Sequence, residues 1–238
     1  MKKMKKSVKG FIIAIILVVL LFAGFYIYTL DYYRADNSDI EIAKGSTAVS
    51  IVRDEKLTFF YPEKNNDLST AFIFYPGGKV EHTAYMPLLI KLAEEGVTGI
   101  LVKMPFNLAV FNMNAAEKIY EKLPEINHWY IGGHSLGGAM ASSYASKNSE
   151  DVEGLILLAA YPTNEISKPV LAVYGSNDDI LDTNKLHNVK NISIIEGGNH
   201  AYFGNYGEQD GDGTATITRE EQQEEAAEVI IEFIESNP

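Results

Sequence analysis

The chain has 238 residues with 20 Lys and Arg against 32 Asp and Glu, a formal charge of −12 and no cysteine. Its first ten residues hold Lys2, Lys3, Lys5, Lys6 and Lys9 and no acid, so the remainder stands at −17. Such an acidic body repels nucleic acid and anionic headgroups, which argues against either as a partner. Without cysteine there is also no disulfide framework and no lipid-bearing thiol.

Residues 1–10 read as a basic tail held on the cytoplasmic side. Residues 11–30 are uncharged and rich in Ile, Leu, Val and Phe. Twenty helical residues rise ~30 Å, the thickness of a bilayer's hydrocarbon core. No short apolar region with a small-residue exit is evident, so the segment reads as an uncleaved transmembrane signal anchor. That makes a single-pass protein of the cell membrane with an extracytoplasmic domain. Residues 31–47 are polar and acidic and read as a stalk, and residues 48–238 as one domain.

Within that domain, 48–53 and 57–61 suggest an antiparallel hairpin at a sheet edge. Apolar strand runs then alternate with helical patterns. Strands are expected at 70–75, 98–104, 128–133, 152–161, 169–175 and 191–196, and helices at 85–95, 115–123 and 219–236. Continuous apolar strands between helices imply an α/β fold, a mostly parallel sheet covered by helices on both faces. Ligands of such sheets bind at the carboxyl ends of the strands, so functional residues should follow strands directly.

Gly133-His134-Ser135-Leu136-Gly137 follows the strand at 128–133 and precedes a run of small residues that reads as a helix. G-x-S-x-G in that setting is a nucleophile elbow, a turn tight enough to require glycine on both sides of the serine. Alone the pattern is common by chance. It gains force only if an acid and a histidine follow later strands. A serine hydroxyl needs a base to take its proton, and the base needs a carboxylate to fix its tautomer.

Five histidines compete. His128 starts the strand that Ser135 ends, over ~20 Å away at ~3.3 Å per residue. His134 neighbours Ser135 but points elsewhere in so tight a turn, and suits packing or the mouth of the site. His187 reads as surface helix, and His82 could edge the site. His200 follows the strand at 191–196 through Gly197-Gly198 and is the candidate base. Asp178, after the strand at 169–175, is the candidate acid, ahead of Asp179 and Asp182. The oxyanion hole calls for two backbone N–H groups. Leu136 supplies one, and the loop Pro76-Gly77-Gly78-Lys79 supplies the other from Gly78 or Lys79.

In these residues the chain resembles the α/β-hydrolase family over roughly 48–236. The order Ser135, Asp178, His200 matches that family's nucleophile, acid and histidine, each after an expected strand. The segments Tyr75-Pro-Gly-Gly-Lys-Val80, Gly197-Gly-Asn-His-Ala201 and Asp212-Gly-Thr-Ala-Thr216 are similar to bacterial hydrolases loosely near the dienelactone hydrolases. Dienelactone hydrolases themselves use a cysteine nucleophile, where this chain has serine. The resemblance implies esterase-type chemistry with no metal or organic cofactor.

Residues 208–214 look superficially like a calcium loop, but the register puts Arg219 where the bidentate glutamate belongs. No metal is therefore expected. Only 162–168 separate two strands where family members insert a lid, so no separate lid domain is expected. The site then opens directly to a small-molecule or exposed acyl substrate, lined by Tyr161, Tyr202 and Phe203 with 106–111 at its rim. The chemistry read from the sequence is a carboxylesterase-like serine hydrolase. A catalytically silent α/β-hydrolase fold used for binding, and an acyltransferase using the same triad, are the alternatives.

Overall fold

The computed structural model describes residues 6–36, 41, 45–63 and 68–237. The chain divides into two units, parting after Tyr32. In the first, α1 (Lys6–Leu30) is one unbroken helix. Its 24 residues from Ser7 to Leu30 are long and apolar enough to cross a membrane, and none of its most apolar 18-residue window is buried. At ~1.5 Å per residue they rise ~36 Å. The basic tail at 1–5 and the stalk positions 37–40 and 42–44 lie outside the described residues.

The second unit opens with β1 (Val49–Arg53) and β2 (Leu57–Pro62), an antiparallel hairpin. Asp54 makes its turn, accepting the amides of Lys56 at 2.8 Å and Leu57 at 2.7 Å through its carboxylate. There follow β3 (Thr70–Tyr75), α2 (Met86–Glu94), β4 (Thr98–Val102), the short α3 (Glu117–Tyr120), β5 (His128–His134) and α4 (Leu136–Ala145). The chain continues through β6 (Gly154–Leu158), β7 (Val170–Gly175), β8 (Asn191–Ile195) and α5 (Arg219–Glu235). Eight strands form one sheet in the order β1-β2-β4-β3-β5-β6-β7-β8. The hairpin is antiparallel and every pairing from β4 to β8 is parallel.

Period-two alternation in each strand divides the interior into two cores. In β3, Phe72 and Phe74 face α2 and α5, meeting Leu88, Leu89 and Ile230. Ala71, Ile73 and Tyr75 face the other side, with Ile119, Ala141 and Tyr144. Helices thus cover both faces of the sheet. Because β3, β5, β6, β7 and β8 run parallel and in register, Pro76, Ser135, Ala159, Ser176 and Glu196 all emerge at one sheet edge.

Helix α3 is shorter than the expected 115–123. Its entry amide, Ala116 N–H, donates to the Tyr75 hydroxyl at 3.0 Å, and the amides of Ile119 and Lys122 bond three residues back. That pattern favours tight single turns over a longer α-helix.

Candidate active site

Ser135 has φ 50° and ψ −122°, in the half of backbone space that side-chain-bearing residues avoid. The neighbours explain how the turn is held. A Cβ on Gly133 or on Gly137 would fall on the carbonyl oxygen of Tyr75, so the elbow lies directly against the end of β3. The Ser135 amide donates to the Leu158 carbonyl at 3.0 Å, tying the turn to β6 as well. Leu136 starts α4, so its N–H has no intrahelical partner and points out of the turn.

His200 and Asp178 meet at the same edge. Nδ1 of His200 lies 3.1 Å from Oδ1 and 3.0 Å from Oδ2 of Asp178, with both side chains almost wholly buried. The Asp178 Oδ1 also accepts the amides of Ile180 and Leu181, each at 2.9 Å. Asp179 is exposed, and Asp182 faces Lys185 at 3.8 Å. A carboxylate at Nδ1 leaves the proton there and frees Nε2 to act as a base. Nε2 is buried and has no hydrogen-bond partner among the described residues.

The loop after β3 supplies the facing wall. A Cβ on Gly78 would come within 2.8 Å of the Leu136 side chain, so this loop lies on the start of α4. Lys79, with φ 57°, donates its amide to the Asn107 carbonyl at 2.8 Å and is thereby engaged. The Gly78 amide donates to nothing among the described residues. Of the two expected donors, Gly78 is the one left available beside Leu136.

Of the expected lining residues, Tyr161 is half-buried, and its hydroxyl accepts from Lys185 Nζ at 2.9 Å. It borders a groove of about 1280 Å³ between residues 161–170 and 185–191 that Ser135, Asp178 and His200 do not line. Tyr202 is half-buried, with the Arg219 guanidinium 4.8 Å above its ring. Phe203 departs from expectation. It is fully buried and packs against the His134 ring at 5.9 Å, so it belongs to the core behind the site. At the rim Phe106, Val110 and Phe111 are about half exposed.

His82 is half-buried, and burial, then the nearby Lys103, pushes its pKa down to about 4. His128 and His187 lie away from Ser135, Asp178 and His200, at the start of β5 and after the short helix Thr183–Leu186.

Several contacts that hold the site were not read from the sequence. His134 is buried, with Nε2 2.9 Å from the His200 carbonyl and Nδ1 2.8 Å from the Tyr85 hydroxyl. Asp212 accepts the amides of His200 at 3.1 Å and Ala201 at 2.8 Å, so its carboxylate fixes the histidine loop. Gln222 of α5 clamps Asn199 through both its amide, at 2.9 Å, and its carbonyl, at 2.8 Å. The stalk also differs from expectation at its start. Tyr33 pairs with Val80, its amide donating to the Lys79 carbonyl and its carbonyl accepting from Glu81. The Asp36 amide then donates to Asn205 at 2.7 Å, so residues 33–36 strap the glycine loop to the histidine loop.

Comparison with known proteins agrees with this architecture. A sequence profile described as the alpha/beta hydrolase family matches residues 71–224. No curated protein matches the chain by sequence. Among solved structures, a thermostable esterase from Pseudomonas putida is 14% identical at a TM-score of 0.55, covering 82% of this chain and 88% of its own. A dienelactone hydrolase from Anabaena variabilis is 13% identical at 0.58, over 78% of this chain and 98% of its own. A membrane phospholipase A is 14% identical at 0.56, over 96% and 98%. At such identities the structural likenesses speak for the fold. The profile match, which covers most of the domain, shows that the chain belongs to the α/β-hydrolase family.

Proposed function

We propose that the protein is a serine hydrolase of carboxylic esters, working through an acyl-enzyme on Ser135. The observation that carries this reading is the buried His200–Asp178 pair with a bare Nε2, at the same strand-end side of the sheet as a serine in a strained turn. His134, which directly precedes Ser135, touches the His200 ring at 4.7 Å, so base and nucleophile share one small volume. Nε2 takes the Ser135 proton as Oγ bonds to the ester carbonyl carbon. The resulting oxyanion is held by the N–H groups of Leu136 and Gly78. Collapse breaks the carbon–oxygen bond to the alcohol, which leaves with the proton from His200. Water then attacks the acyl-enzyme with His200 again as base, restoring Ser135 and releasing the acid. Residues 11–30 anchor the enzyme in the cell membrane, and the lysines before them keep the domain outside the cytoplasm.

A fluorophosphonate probe tests the reading. Wild type is expected to label at a single serine, and Ser135→Ala to stay unlabelled while folded. A folded wild type that resists the probe and hydrolyses no p-nitrophenyl ester would leave a binding module in its place. Product transfer to added alcohols ahead of water would instead mark an acyltransferase.

A further inference from the structure

Two buried side chains join all three working parts of the site, though neither reaches a reacting atom. The Gly77 N–H donates to the Tyr85 hydroxyl at 3.1 Å, and that hydroxyl lies 2.8 Å from Nδ1 of His134. His134 Nε2 lies 2.9 Å from the carbonyl oxygen of His200. The direction of each bond follows from chemistry. A carbonyl only accepts, so Nε2 of His134 carries a hydrogen. Burial, reinforced by neighbouring His200, pushes the His134 pKa far down and keeps the ring neutral. Nδ1 is therefore bare and accepts from Tyr85, whose oxygen keeps a lone pair for Gly77. Each donor has one acceptor, and the chain has only one arrangement.

Its ends are informative. Gly77 directly precedes Gly78, the available oxyanion donor, and His134 directly precedes Ser135. The far end is the backbone of His200, whose amide is held from the other side by Asp212. The fit leaves no slack, since a Cβ on Gly77 would sit 2.7 Å from both the His134 Nδ1 and the Tyr85 oxygen. Both rings are buried to within about 1%.

We propose that Tyr85 and His134 are positioning residues that lock the oxyanion loop, the nucleophile turn and the base loop into one register. This rests on the serine-hydrolase reading above. Losing the Tyr85 hydroxyl frees Gly77 and removes the bond that orients the His134 ring. The oxyanion donor and the base then drift relative to Ser135, and a misplacement near 1 Å can cost about 100-fold in rate. Binding of a small ester, which does not depend on that register, changes little.

The test uses full-length protein in detergent, with kcat and KM for a soluble p-nitrophenyl ester normalised to fluorophosphonate-labelled sites. Tyr85→Phe keeps the ring and its packing and is expected to lower kcat about 10- to 100-fold, with KM within about twofold. His134→Gln retains an N–H donor for the His200 carbonyl, whereas His134→Leu does not. Gln is expected to keep at least about tenfold more activity per labelled site than Leu. If Tyr85→Phe lowers only the melting temperature while kcat per site holds, the positioning role is overturned and the hydrolase reading survives. Equal kcat per site for His134→Gln and His134→Leu overturns it as well. A wild type without labelling or turnover removes the hydrolase reading and this proposal together.

Discussion

Asp178 holds two things at once. Its Oδ1 accepts the Ile180 and Leu181 amides that shape the turn after β7, and both oxygens face Nδ1 of His200. Asparagine at this position keeps an acceptor for the turn but can offer its NH₂ to the imidazole. The ring then settles with its hydrogen on Nε2, the nitrogen that must be bare to accept the serine proton. Asp178→Asn is therefore expected to fold and bind substrate while kcat falls on the order of 10³–10⁴-fold. Steady-state kinetics with circular dichroism checks this, and a loss under tenfold in a folded variant would remove Asp178 from the proposed triad. The strand-end placement of Ser135, Asp178 and His200 was legible because each follows an apolar strand run, and the sheet brings strand ends together. The partners of His134 were not legible. Tyr85 lies 49 residues away, and only the folded sheet makes them neighbours.

At the scale of elements, α5 does more than close the core. Thr218 and Glu221 form a reciprocal cap at its start, the Glu221 amide donating to Thr218 Oγ1 at 3.1 Å and the Thr218 amide to Oε2 at 2.7 Å. One turn on, Gln222 is wholly buried and satisfies both backbone groups of Asn199, next to His200. Leucine there would fill similar space yet orphan a buried N–H and a buried C=O, at about 1–3 kcal/mol each. Gln222→Leu is expected to lower unfolding free energy by at least about 1 kcal/mol in urea titration and to reduce turnover at 25 °C. A variant as stable and active as wild type would show that α5 does not hold the histidine loop. Amphipathic spacing announced the helix, but a glutamine on its inner face reads as ordinary polarity until Asn199 is seen against it. The strap at 33–36 escaped notice for a related reason. It lies at the start of a polar, acidic stretch that suits solvent, and much of what docks it is backbone bonding to residues 79–81 and 205, which leaves no trace in side-chain pattern. The strands were the legible part, because burial on both faces of a parallel sheet demands apolar runs that the sequence displays openly.

For the whole domain, the half-buried His82 and the buried His134 set a dependence of stability on pH. Burial, then Lys103, holds the pKa of His82 at about 4, and burial with His200 holds His134 far below 6.5. In the unfolded chain both return to an ordinary value near ~6.5. Below that pH the unfolded state binds protons that the folded state refuses, so stability rises with pH. It is fully present above about 6.5–7 and is lost progressively as the pH falls towards the folded value of His82, about 4. Relief of acidic self-repulsion works in the opposite direction, since the chain carries −12. Carboxylates with ordinary values near ~4 stay almost fully ionised down to about pH 5.5, however, so that relief is small there. The histidines therefore dominate between pH 7.5 and 5.5. The melting temperature should fall over that interval, and His82→Asn, which cannot titrate, should flatten the slope even if it lowers stability at every pH. His134 remains in the variant and leaves a residual slope of the same sign. Parallel melting curves for wild type and His82→Asn across the interval would mean that His82 titrates alike in both states, and that its burial is not what the domain loses in acid.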